Sequence, residues 1–308
     1  MVSGRDDSSQ GREGSVWAIV VTYNPDLEVL ARQVDTLVSQ VCRIVIVDNG
    51  STCNLAGWLP GCWYGSVELV LLEKNLGIAT AHNRGIERAQ QAGADYVLLM
   101  DQDSLPQPNM VAELLRASRA GSNVAAVGPR YLDERQNNPP PFIRIEGMRI
   151  KRLNCQPQRS VVAVDYLISS GCLISLAVLR KVGGMRDDLF IDYVDIEWGL
   201  RAKHFGLQSY GCCTAHMLHT IGDEPVRFWG RRIPMHHPLR HYYHFRNAIL
   251  LYKLPWISLN WKMVDGLRLC LKYVFYSLFS RDGLSQWRMM TLGVWHGLAG
   301  RSGCYDNG

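Results

Sequence analysis

The sequence predicts an α/β protein with a mostly parallel sheet covered by helices and a basic, helical C-terminal extension. Three observations carry this prediction. β-branched apolar runs alternate with amphipathic stretches from residue 16 to 127, as strands joined by crossover helices do. Three of those runs end in small polar clusters, where open α/β sheets bind ligands. Beyond residue 226 the composition turns basic and aromatic.

Residues 16–23 (VWAIVVTY) are continuously apolar and stop at Asn24-Pro25, which reads as a buried strand. Asp26 is placed to cap a helix over 27–40. Arg43–Asp48 (RIVIVD) is a second strand ending in Asn49-Gly50-Ser51, and 67–72 is a third. A helix over 78–92 closes at Gly93; a fourth strand, 96–100, ends in Asp101-Gln102-Asp103. A helix over 109–120 and a short strand at 124–127 complete the alternation. The polar ends Thr22-Tyr23-Asn24, Asp48-Asn49-Gly50 and Asp101-Gln102-Asp103 should converge on one crevice. After residue 130 the pattern breaks. Residues 137–141 read as a loop, 161–175 as strand, Ser-Ser-Gly turn and strand, and 208–215 as a strand. A helix over 192–205 would put Val194, Trp198, Leu200 and Phe205 largely on one face. From Trp256 onward the chain reads helical, with Leu267, Leu271, Val274 and Leu278 along one face.

An apolar fraction of 47% and a charged fraction of 20% exclude a disordered, collagenous or coiled-coil chain. The 308 residues divide into a flexible 1–14, a domain over 15–226 and a C-terminal region over 227–308. Residues 1–14 lack the apolar stretch of a signal peptide. The longest apolar run, 161–179, is broken by Asp165 and the Ser-Ser-Gly turn, so no membrane span is expected. Nine scattered cysteines with no Cys-x-x-Cys pair suggest reduced thiols in a cytosol. The net charge of +5 conceals an asymmetry. Residues 227–288 carry eleven Lys and Arg against Asp265 and Asp282, interleaved with Trp229, Trp256, Trp261 and Phe275. Such a segment suits an anionic membrane surface or a basic subdomain packed on the core. It accompanies no recognised nucleic-acid module, so nucleic acid is not an expected partner.

Asp101 and Asp103, two apart at a strand exit, can face one hard cation; a polar turn is the plainer reading. Asp48 can accept from a ribose hydroxyl or base N–H, or simply end its strand in a turn. Asp188, Asp192, Asp195 and Glu197 crowd around aromatic residues. Mutual repulsion and burial would make one of them a proton acceptor, whereas an acidic helix start would also explain them. His216 and His219 follow a strand and can ligate or simply pack. No Gly-x-Ser-x-Gly, Walker loop or Gly-x-Gly-x-x-Gly occurs, which argues against hydrolases, NTPases and dehydrogenases.

Seven segments in order, VVTYN (20–24), VDNGS (47–51), NLGIATAHNRGI (75–86), LLMDQDS (98–104), LISSGCLIS (167–175), LFIDYVDIEWGLRAK (189–203) and HYYHFRNAILL (241–251), resemble inverting family 2 glycosyltransferases of the GT-A fold. The likeness is strongest to bacterial rhamnosyltransferases that use dTDP-L-rhamnose. It implies a Rossmann-like nucleotide-binding sheet and assigns roles. Thr22, Tyr23, Asn24 and Asp48 would hold the nucleotide, with Asn75, Gly77, His82, Asn83 and Gln102 nearby. Asp101 and Asp103 would hold Mg²⁺ or Mn²⁺, Asp103 directly, joined by His219 with His216 as the alternative. Asp195 would be the catalytic base with Glu197 beside it, and Arg246 would face the diphosphate. Ser170, Gly171, Asp192 and Trp198 would lie on the acceptor side. The implied reaction moves L-rhamnose with inversion onto a lipid-linked saccharide or glycolipid at the inner face of the cytoplasmic membrane. Another nucleotide sugar, or a non-catalytic sugar-binding protein, are the alternatives.

Overall fold

The computed structural model describes residues 14–59, 61–132, 141–156, 159–219, 226–228, 231–233, 236–280 and 282–306. Its first half follows the alternation: β1 (Val16–Thr22), α1 (Leu27–Val38), β2 (Arg43–Asp48), the short α2 (Leu55–Trp58), β3 (Val67–Leu71), α3 (Ile78–Gln91) and β4 (Tyr96–Asp101). These strands lie parallel in the order β3-β2-β1-β4. Their runs are apolar throughout because both faces are covered. Ile19, Val21, Val45 and Val47 pack on one side of the sheet, and Ala18, Val20, Ile44 and Ile46 on the other. Asp26 caps α1 by accepting from the backbone N–H groups of Glu28 and Val29, which stabilises the helix by about 1 kcal/mol.

Next come β5 (Ser104–Pro106), α4 (Met110–Ser118), β6 (Val124–Leu132), β7 (Phe142–Glu146), β8 (Arg149–Leu153), β9 (Val161–Val164), β10 (Cys172–Ser175), α5 (Leu176–Val182), α6 (Val194–His204) and β11 (Gln208–His219). The sheet continues β4-β10-β6-β11-β5, with β9 also on β11. Here only β6 and β11 run parallel; β10, β5 and β9 pair antiparallel to their neighbours. Parallel pairing therefore covers the first half and the β6–β11 pair, and the other later strands, with few helical crossovers between them, pair antiparallel. The hairpin β7–β8 was not expected. All of the loop at 137–141 but Pro141 lies outside the described residues. Phe205 departs from the expected buried face of α6 and is 44% exposed.

β12 (Val226–Phe228) and β13 (Arg231–Ile233) form a separate ribbon. α7 (Pro238–Tyr252), α8 (Leu259–Phe279) and α9 (Gly283–Leu298) end the chain. Phe245, Trp261, Tyr276 and Met290 from these helices join the apolar cluster that holds Ile19 and Leu99 of the sheet. On α8, Leu267, Leu271, Val274 and Leu278 do share a face, but it is the outward one, and they are 53% to 69% exposed. Among the described residues, no helix is long and apolar enough to cross a membrane. The expectation of nine free thiols is corrected: Cys155 and Cys213 are disulfide-bonded, with Cα atoms 5.5 Å apart. Their separation of 58 residues hides the pairing from sequence.

Candidate active site

The three polar strand ends meet. Sheet register sets Thr22 beside Asp48 and Val21 beside Asp101. The Thr22 hydroxyl donates to Asp48 Oδ1 at 3.1 Å, and Tyr23 N donates to Gln102 Oε1 at 2.7 Å. Asp48 is 4% exposed; it also accepts from the Ser51 backbone N–H at 3.0 Å and from the Ser51 hydroxyl. Asn24 Oδ1 accepts from Thr52 N, and Asn75 Oδ1 accepts from Asn49 Nδ2 and Gly77 N. Thr22, Asp48 and Asn75 thus knit the loops together, leaving Tyr23, 48% exposed, as the open face of this platform. Gly77 opens α3 with φ +88, and a Cβ there would lie 2.5 Å from the Phe190 carbonyl oxygen. That close approach ties α3 to the segment preceding α6 and requires glycine.

Beside the platform lies a cleft of about 630 Å³, whose lining includes His82, Asp101, Asp103, Asp192, Asp195 and Arg240. Burial, with the charge of Asp103 added, pushes the Asp101 carboxyl up to about 7 against the opposing pull of Arg240. Asp101 Oδ1 is buried without a hydrogen-bond partner. Burial chiefly, then the charges of Asp192 and Asp101, push the Asp195 carboxyl up to about 6; the Ile196 N–H, donating at 2.8 Å, opposes the rise. Asp192 is likewise raised by burial, with Arg240 Nε 3.4 Å away. His82 is fully buried, neither ring nitrogen has a partner, and burial holds it down to about 4, so it is neutral at pH 7.

Among the described residues no three ligating side chains already surround one point. The donor chemistry still fits a hard cation: two carboxylates, one with an orphaned buried oxygen, in a cleft where carboxylates outnumber arginine. The backbone of His219, the last residue of β11, pairs with Ser104, next in chain to Asp103. Its side chain lies outside the described residues. His216 pairs with Arg130, about 10 Å back along the strand at the usual rise per residue.

Asp195 stands in the first turn of α6, after a segment held in left-handed backbone at Phe190, Asp192 and Tyr193, φ +66, +63 and +62. Such residues cost about 1–3 kcal/mol each and persist only where surroundings fix them. Asn247 does so: its Nδ2 donates to the carbonyl oxygens of Leu189, Ile191 and Asp192 at 2.8 to 2.9 Å. Arg246 helps, reaching the Leu189 carbonyl at 3.0 Å and that of Gly303. Asn83 exchanges hydrogen bonds with the backbone of Met185.

Several assigned roles are corrected by this geometry. Arg246 is 1% exposed, directed to backbone carbonyls and not part of the cleft lining. Glu197 is fully buried and forked onto Arg201 at 2.9 and 3.1 Å, so it does not stand beside the base. Trp198 is 3% exposed and donates to the Gly183 carbonyl, and Ser170 is 1% exposed, donating to the Ser104 hydroxyl and accepting from Asp101 N. Gly171, with φ +78, has no room for a Cβ beside Pro129. None of these can meet an acceptor; they hold Asp101 and α6 in place. Asp192, by contrast, does line the cleft. Sequence reasoning missed Arg240 and Asn247. The signal for Asn247 was the Arg-Asn pair within HYYHFRN, of which only the arginine was assigned a role.

The chain matches the sequence profile described as Glycosyl transferase family 2 over residues 17–180. It is 35% identical to the dTDP-rhamnosyl transferase RfbF of Shigella flexneri, over 77% of this chain and 79% of that one. It is 28% identical to the galactofuranosyltransferase GlfT1 of Mycolicibacterium smegmatis, over 90% and 96% respectively. A Mycobacterium tuberculosis N-acetylglucosaminyl-diphospho-decaprenol L-rhamnosyltransferase is 25% identical, over 71% and 80%. The crystal structure of GalNAc-T7 with UDP, GalNAc and Mn²⁺ superposes with a TM-score of 0.59 at 14% identity, covering 92% of this chain and 56% of that one, which shows the shared GT-A fold. Strand-end platform, acidic cleft and profile agree, and the chain belongs to glycosyltransferase family 2, as a glycosyltransferase.

Proposed function

We propose that the protein transfers L-rhamnose from dTDP-L-rhamnose, with inversion, to a lipid-linked saccharide in cell-surface polysaccharide synthesis. The observation that carries this reading is the gathering of Asp101, Asp103 and Asp195 in one cleft of a chain 35% identical to a dTDP-rhamnosyl transferase. In this reading residues 15–226 carry donor and base, and 227–308 the acceptor end.

The donor nucleotide lies over the strand ends, with Tyr23 beneath it and neutral His82 near the sugar. Asp103 and Asp101, with His219, would hold Mg²⁺ or Mn²⁺; when bound, that ion supplies charge neutralisation for the departing diphosphate. Asp195 takes the proton of the acceptor hydroxyl as its oxygen bonds to the anomeric carbon. The bond from that carbon to the diphosphate oxygen breaks, and dTDP leaves with the electron pair. A single displacement turns a β-L-rhamnosyl donor into an α-L-rhamnoside. A carboxyl brought near 6 suits the base, being ionised at neutral pH yet basic enough to accept the proton.

Eleven cations in residues 227–288 and the outward apolar face of α8 support attachment to the inner face of the cytoplasmic membrane. Flotation with anionic but not zwitterionic vesicles tests this, and indifference to both refutes it. The likeness to GlfT1 favours a second donor, a galactofuranosyl nucleotide. Release of nucleoside diphosphate across a panel of nucleotide sugars decides between them. Turnover of dTDP-L-rhamnose is expected; turnover of another donor with none of dTDP-L-rhamnose refutes the reading.

A further inference from the structure

We propose that the cavity between the β7–β8 hairpin, the end of α6 and the start of α8 is a non-catalytic binding site for a neutral sugar unit. The proposal holds whichever sugar the catalytic cleft transfers. The cavity has about 290 Å³, and Asp165, Lys203, Trp256, Ser258, Asn260 and Trp261 are among its walls. Among the described residues it shares no lining side chain with the cleft that contains Asp195. Asp195 stands in the first turn of α6 and Lys203 in the last, which puts them about 12 Å apart along the helix axis at the usual rise per residue. Trp261 packs edge-on against Tyr193, with ring centroids 6.4 Å apart, and Tyr193 lines the cleft. A sugar in the cavity therefore lies behind that wall, out of reach of the base.

The polar wall is balanced in charge. Asp165 is 3% exposed; its Oδ1 accepts from Lys203 Nζ and its Oδ2 from the Ile145 backbone N–H, both at 2.6 Å. Each carboxylate oxygen keeps a lone pair, and the ammonium keeps two hydrogens. The Ser258 hydroxyl accepts from the Trp261 backbone N–H at 3.4 Å and keeps its own hydrogen to donate. Paired with each other, Asp165 and Lys203 leave no surplus charge for a phosphate or a metal ion. A purely apolar ligand would bury them without giving a hydrogen bond in return. Neutral hydroxyl groups, which donate and accept, match this wall.

The aromatic wall supplies what a sugar needs besides. Trp256 is half-buried, and the His204 ring stands 5.9 Å from it, tilted by 32°, which braces the indole. An indole face left partly open suits the C–H face of a pyranose ring. Trp261 is 2% exposed, and its indole N–H is buried without an acceptor. A buried donor without a partner is unfavourable, and a ligand oxygen would offset that. The cavity thus pairs a flat aromatic surface with an orphaned donor, a carboxylate, an ammonium and the Asn260 amide. That combination fits a ring with one apolar face and hydroxyls around its edge.

The test titrates the full chain with the neutral methyl pyranosides of glucose, galactose, mannose and rhamnose, with dTDP and Mn²⁺ present to fill the donor site. Binding is followed by tryptophan fluorescence and by saturation-transfer NMR. At least one of the four should bind, with the same affinity whether dTDP is present or absent. Trp256→Ala should weaken it by about tenfold or more. Asn260→Ala, at an exposed position in the first turn of α8, should weaken it by about threefold or more without lowering the melting temperature. Binding of none of the four overturns the proposal, as does displacement by dTDP or by inorganic phosphate. Indifference to both Trp256→Ala and Asn260→Ala would place the sugar in the catalytic cleft and overturns it as well.

Discussion

Replacing Asp195 by Asn should stabilise the protein while removing its activity. The Asp195 carboxyl is pushed from an ordinary 3.8 to about 6, so the folded state binds this proton more tightly than the unfolded chain. The carboxyl therefore contributes stability below about pH 4 and loses it as pH rises through about 6. Full ionisation of such a group corresponds to about 3 kcal/mol at 1.36 kcal/mol per pH unit. Asp195 sits in the wall of an open cleft, where water screens part of that penalty, and about 1–2 kcal/mol is the working figure. For a chain of this length that is about 2–6 °C in melting temperature. The assay is thermal melting of both proteins without metal at pH 7.5 and pH 4.5, with transfer measured at pH 7.5. The variant should melt higher at pH 7.5, and the gain should shrink to about a third at pH 4.5. Transfer should fall about 10²- to 10⁴-fold, with dTDP affinity near normal. A lower melting point at pH 7.5, an equal gain at both pH values, or near-normal turnover would each refute the reasoning.

The other predictions concern the parts around the base. Asn247→Leu removes three hydrogen bonds from the left-handed segment before α6. It should lower kcat by about tenfold or more with dTDP binding little changed; an equal loss of dTDP affinity would show that Asn247 does not act through Asp195. Arg246→Lys should leave dTDP affinity within about threefold, and a larger drop measured by calorimetry would return Arg246 to the diphosphate. Asp103→Ala should abolish metal-dependent transfer, and full activity of the unaltered protein in excess EDTA would refute the metal role. The pH profile of kcat/KM should fall on the acid side as Asp195 takes up its proton near 6, and a flat profile down to pH 5 would place the base elsewhere.

The parallel half of the sheet and the meeting of its polar ends were legible because they rest on local signals. VWAIVVT and RIVIVD can only be buried strands, and each stops at polar residues that the register then brings side by side. Motif likeness singled out Asp101, Asp103 and Asp195, and all three line one cleft. What sequence could not convey was the direction of a side chain. Arg246 and Asn247 are adjacent, and both turn inward to the 188–192 backbone. Glu197, two residues from Asp195, points to Arg201 because positions two apart lie on different sides of a helix. The row on α8 illustrates the same limit. Its spacing established one face, but whether that face is covered depends on α7 and α9, which lie on its other side.

The anomeric configuration of the product tests the central claim most directly. Incubated with dTDP-L-rhamnose, a divalent cation and a lipid-diphosphate saccharide acceptor, the protein should yield an α-L-rhamnoside, read from the one-bond carbon–proton coupling at the anomeric centre. A single displacement with Asp195 as the base predicts that inversion. A β-L-rhamnoside would mean two displacements, and the assignment of Asp195 as base to an inverting transfer would be wrong.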